Sequence, residues 1–169
     1  GGHAFYLPGA GSGLGYDAES ALKPSPFSSA HTTNRSIHLA GGHLETSNLK
    51  LGTQATIALW FWLGHESGAS DRTGEVINAL GASLKAHQDV THRVRLTLGG
   101  KESQKAIFAD DWHFAVLIRD GEDVCVHLDG SEKPVLTGKA GKAANEVLFG
   151  QELEGRLDEI TIWDRVIEP

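Results

Sequence analysis

Three adjacent carboxylate pairs, Asp110-Asp111, Glu122-Asp123 and Asp158-Glu159, are the first residues to test for hydrolytic chemistry in this 169-residue chain. A retaining glycosidase holds two carboxyls about 5–5.5 Å apart, one as nucleophile and one as acid. On an extended strand that asks for acids two or four positions apart, because neighbours point to opposite faces. Glu122-Asp123 and Asp158-Glu159 therefore do not converge, and Asp110-Asp111 falls in a turn. A serine nucleophile fares no better: Gly11-Ser12-Gly13 lacks the flanks of a nucleophile elbow, and the lone Cys125 lies inside an apolar run as a buried, inert thiol. No catalytic residue is assigned.

Recognition has better material. Sugar-binding modules stack pyranose rings on exposed aromatics and fix hydroxyls with polar side chains. Trp62 alternates with Phe61 and Leu63 and shares a strand face with Trp60; Trp163 stands opposite Ile162. Either indole could cover the outer face of a sheet, with His65, Asp71 and Arg72 lining a rim, and these five are the candidate ligand-binding residues. His38 and His43 could approach each other across a turn, although the spacing is equally that of two surface histidines on an edge hairpin. The glycines from Gly9 to Gly15 lack the lysine and the following helix of a phosphate-binding loop and are read as tight turns.

The elements that must position these residues are strands. Phe114 to Ile118 and Val124 to Leu128 form a hairpin around the polar turn Arg119 to Asp123, closed by Asp129-Gly130. Ala55 to Gly64 is a long core strand, and Phe5 to Leu7, Ser36 to Gly52, Glu75 to Leu80, Arg93 to Leu98, Gln104 to Phe108, Val135 to Thr137 and Val147 to Phe149 supply others. Ala82 to His87 reads as a short helical turn. About 10 to 13 short strands are economically packed as an antiparallel two-sheet sandwich. Ile57, Leu59, Phe61, Val116, Ile118, Val126, Ile160 and Ile162 are the expected core.

Trp112-His113, Asp129-Gly130 and Gly155-Arg156-Leu157-Asp158-Glu159-Ile160, in that order, resemble the laminin-G-like jelly rolls of the concanavalin A-like lectin and glucanase superfamily. The resemblance runs from about Ser36 to Pro169. It implies an all-β fold, an antiparallel two-sheet β-sandwich of jelly-roll type, and the length of 169 residues suits one domain over residues 1–169. It also implies calcium as the cation such a domain would carry, with Asp158 as its candidate ligand. The alternative reading of Asp158 is a carboxylate satisfied by turn amides. Two departures limit the resemblance. Gly42-His43 stands where many relatives carry acids, and the glucanases' Glu-x-Asp-x-Glu or Glu-x-Asp-x-x-Glu pattern does not occur. The implied function is non-catalytic recognition of a glycan or protein surface, with a polysaccharide-cleaving enzyme or a structural spacer as alternatives.

Composition bounds these readings. Fifteen basic against 22 acidic residues leave a net charge of −7, which argues against nucleic acid as a partner. Protonating all nine histidines would bring that charge to +2, so colloidal behaviour should change between about pH 7 and 5. No apolar run approaches the roughly 20 residues of a membrane-spanning helix. The Gly-Gly start without methionine reads as a tag remnant before a domain excised from a larger protein. Other domains of a parent chain are thus expected partners, and the resemblance places that parent outside the cell, in the periplasm or at the cell surface.

Overall fold

The computed structural model describes residues 3–8, 35–49, 51–64, 72–142 and 146–168, with backbone alone for 3–8 and 35. Fourteen strands are described and no helix among these residues. They are β1 (His3–Pro8), β2 (Arg35–Ala40), β3 (Leu44–Ser47), β4 (Gln54–Leu63), β5 (Arg72–Ala79), β6 (Ala82–Gln88) and β7 (Arg93–Leu98). After them come β8 (Lys101–Glu102), β9 (Ile107–Phe108), β10 (Trp112–Asp120), β11 (Asp123–Leu128), β12 (Leu136–Lys139), β13 (Glu146–Phe149) and β14 (Glu154–Trp163). One sheet runs β1-β2-β14-β4-β10-β11-β12; the other runs β3-β13-β5-β6-β7-β8, with β9 also on β7. Every pairing is antiparallel.

Alternation decides which side chains meet between the sheets. Val94, Leu96 and Leu98 of β7 point inward, as do Leu84 and Ala86 of β6, and they meet Ile57, Leu59, Phe61, Leu117, Val126 and Leu157 from the first sheet. Ile160 and Ile162 pack on the same core, half-buried. Leu157 and Ile160 can share a face only because β14 contains a bulge, where the register to β4 shifts between Asp158 and Thr161. Glu159 sits there at φ 49°, and the Asp158 carboxylate accepts the Glu159 N–H at 2.9 Å. The Asp-Glu of the motif thus builds the bulge that keeps both halves of β14 in register with the core.

Two expectations are corrected. Val116 and Ile118 are buried, but on the outer face of the first sheet, with Ala58, Phe114, Cys125, Trp163 and Val166. Pairing of β10 with β4 sets Ala115 against Leu59 and Leu117 against Ile57, so those two face the core instead. Ala82 to His87 is strand, not a helical turn: Leu80 (φ 58°) and Gly81 (φ 73°) form the two-residue turn that folds β6 onto β5. Both central residues at positive φ give a type I′ turn, whose twist matches the flanking strands.

The outer cluster is covered by the chain's own last segment. Thr56, fully buried on β4, donates its hydroxyl to the Arg165 carbonyl (2.9 Å) and accepts the Ile167 N–H (2.9 Å), holding Val166 over Val116 and Ile118. Thr56→Val should cost about 1–2 kcal/mol through these lost bonds. It should also speed amide exchange at Ile167; exchange at the wild-type rate would show that the segment is held by something else.

Candidate recognition site

The end of β4 and the start of β14 assemble a polar and aromatic cluster on the outer face of the first sheet. Cross-strand register sets His38 beside Arg156, Arg156 beside Trp62, and Trp62 beside Trp112. The Trp62 indole, half-buried, lies against Gly64, where a Cβ would overlap its six-membered ring. The Arg156 guanidinium stacks on the same indole, its Cζ 4.6 Å from the ring centroid. Gly155 also lacks space for a Cβ, which would strike the Trp62 carbonyl, so β14 can approach β4 this closely only with glycine there.

Charge around the pair is unevenly satisfied. Glu154 is held between His38 (3.6 Å) and Arg72 (3.5 Å). Among the described residues Arg156, two residues along the same face, makes no ion pair or hydrogen bond, and its Nε is shut off from solvent without an acceptor there. Burial pulls its guanidinium down from the ordinary arginine value. Further along the face, Trp60 and Phe114 form a tilted pair with centroids 5.1 Å apart, both half-buried.

The candidate residues fall in different places. Trp62 and Arg72 belong to this cluster, Arg72 through Glu154. His65 and Asp71 lie outside the described residues. Trp163 pairs with Thr56 toward the other end of β4 and packs in the outer cluster under the C-terminal segment. Asp158 is buried, and its carboxylate is engaged at the bulge. His38 and His43 reach different carboxylates, Glu154 and Glu45 (4.0 Å). No group of three or more metal-binding side chains occurs among the described residues. Arg156 and Glu154 were not evident from sequence. Their link to Trp62 exists only once the β14–β4 register is known.

His113 is structural. Buried at the mouth of the core, its ring centroid lies 5.6 Å from that of Phe61. Its Nδ1 faces an Asp129 carboxylate oxygen and its Nε2 the Phe108 carbonyl, each at 2.9 Å. Two acceptors on two ring nitrogens favour the doubly protonated ring. Burial works against that charge, but the Asp129 bond and charge, the Phe108 carbonyl and Asp111 outweigh it and raise the imidazole above its ordinary value. The other Asp129 oxygen accepts the Phe114 N–H at 2.8 Å, so the Asp-Gly turn and the Trp-His strand start lock each other. Cys125 lies half-buried with Sγ 3.7 Å from His127 Nε2, and burial raises its thiol, which keeps it protonated and inert at neutral pH.

A separate groove of about 710 Å³ opens at the sheet edge between the β8–β9 segment and the β11–β12 loop, with Lys101, Lys105 and Lys133 over an aliphatic floor that includes Leu128 and Leu136. Among the described residues that line it there is no aromatic wall on which a sugar could stack. No helix among the described residues is long and apolar enough to cross a membrane.

No family model matches the sequence, and no curated protein matches it. Among solved structures the chain is similar to a heptameric SAP-like pentraxin from Limulus polyphemus, with TM-score 0.55 and 18% identity over 74% of this chain and 70% of that one. It is also similar to the Trypanosoma rangeli sialidase (TM-score 0.55, 14% identity), over 79% of this chain but 25% of that one. The binding domain of botulinum neurotoxin serotype D aligns at TM-score 0.50 and 12% identity, over 82% of this chain and 41% of that one. At such identities the likeness is one of fold. It agrees with the two antiparallel sheets and defines the class: an all-β jelly-roll sandwich.

Proposed function

We propose that this domain is a laminin-G-like, non-catalytic recognition module that binds a glycan on the outer face of its first sheet, within a larger exported protein. The observation that carries this reading is the Trp62–Arg156 stack with Glu154, His38 and Arg72 around it. It pairs an aromatic platform with donors and acceptors suited to sugar hydroxyls, on a surface outside the core. Hydrolysis lacks comparable support. Glu122 and Asp123 are exposed at the β10–β11 turn, where Asp123 pairs with Lys139 at 2.7 Å, and the Asp158 carboxylate is engaged at the bulge.

Glycan-array binding of the intact chain, with and without a chelator, tests the reading; the chelator arm shows whether calcium takes part. Wild type should bind a defined set of glycans. Trp62→Ala should weaken binding at least about tenfold, equivalent to about 1.4 kcal/mol, while still melting cooperatively. Failure of wild type to bind any glycan in either condition would overturn the proposal.

A further inference from the structure

We propose that the glycan is acidic, and that Arg156 takes its carboxylate or sulfate directly, with no bridging cation. This rests on the glycan-binding reading above and names the class of sugar. The fold shows how it treats an arginine used for structure: Arg119, buried at the other end of β10, donates Nε to the Gly121 carbonyl (3.0 Å) and Nη1 to the Leu80 carbonyl (2.9 Å). Among the described residues Arg156 has no such acceptors. Its nearest carboxylate along the strand, Glu154, is engaged by His38 and Arg72. A guanidinium remains a cation at neutral pH, and a partly desolvated cation without a counter-charge is costly unless a ligand supplies one.

Stacking on Trp62 adds the geometric half of the argument. With its Cζ 4.6 Å over the ring centroid, the guanidinium has an aromatic face to stack on, and such stacking favours one plane for the group, which would preorganise its planar fork before any ligand arrives. Such a fork matches the two oxygens of a carboxylate or sulfate, and a charge-assisted bidentate pair is stronger than a bond to a neutral hydroxyl. The Trp62 ring beside it offers apolar contact for the sugar that bears the acid. Because the positive charge comes from the side chain, binding should not require calcium.

The test uses the intact chain on an array carrying sialylated, uronate-containing and sulfated glycans, each beside its neutral parent, in chelator. Acidic glycans should bind and their neutral parents should not, and added salt should weaken binding. Arg156→Gln should lose at least tenfold in affinity for the acidic glycans, and Arg156→Lys, which keeps the charge but not the fork, should retain part of it. In wild type, titrating the best acidic glycan should shift the Arg156 Nε–Hε resonance, a readout that does not depend on the variants folding. If neutral parents bind as well as acidic forms, if Arg156→Gln binds acidic glycans unchanged, or if the resonance does not move, the acid assignment fails while glycan binding stands. If no glycan binds, both fail.

Discussion

Replacing Trp112 with alanine should destabilise the domain by about 3–5 kcal/mol, among the largest effects of any single side-chain truncation here. The ring is 1% exposed and is among the largest fully buried side chains. It opens β10, the strand that pairs along its length with β4 and carries the β11 hairpin. Removing it leaves a cavity where the backbone is pinned by neighbours: His113 is held by Asp129 and Phe108, and the Asp110 N–H donates to the Leu63 carbonyl. A site so tethered cannot collapse to fill the space, which places the cost toward the upper end of the range for such truncations. For a domain of this size the melting temperature should fall by roughly 6–20 °C. A loss under about 1 kcal/mol would mean that the indole contributes little to packing.

Much of the fold was legible because its strands alternate cleanly. Val94, Leu96 and Leu98 announce an amphipathic strand, and β7 spans Arg93–Leu98. The Trp-His, Asp-Gly and Gly-Arg-Leu-Asp-Glu-Ile segments also reveal their physical roles: the first two are joined by Asp129, and the third is a bulge capped by Asp158. Legibility failed where the pattern is two-sided. Phe114-Ala115-Val116-Leu117-Ile118 is apolar on both faces, so nothing local says which set points inward. That is settled by pairing with β4 and by a C-terminal segment that covers the outer set. Ala82 to His87 misled because its alanines and lysine favour helix, a weak preference that pairing with β5 and β7 overrides. The Leu80-Gly81 turn was hidden because leucine is uncommon at positive φ. The candidate site was half legible for a similar reason. An aromatic flanked by core positions is visible in one strand, but Arg156 joins Trp62 only across a register that the sequence does not encode locally.

Asp129→Asn should destabilise the domain by about 1.5–3 kcal/mol near pH 6, and the penalty should shrink as the pH rises. The carboxylate serves two donors, the His113 ring and the Phe114 amide, and asparagine can keep the second while losing the charge that favours the imidazolium. His113 has its folded value raised above the ordinary 6.5, so the proton is bound more tightly in the native state than in the unfolded chain. Its stabilisation is then fully present below the unfolded value and is lost as the pH climbs through the higher folded value. Wild type should accordingly lose this increment on going from about pH 6 toward pH 9, whereas the variant, with the raising charge removed, should lose less of it. Denaturant unfolding of both proteins across that range measures the gap directly. A gap that stays constant with pH would show that the His113–Asp129 contact joins a neutral ring to the carboxylate. The Trp-His and Asp-Gly segments would then be tied by an ordinary hydrogen bond rather than by an ion pair at the mouth of the core.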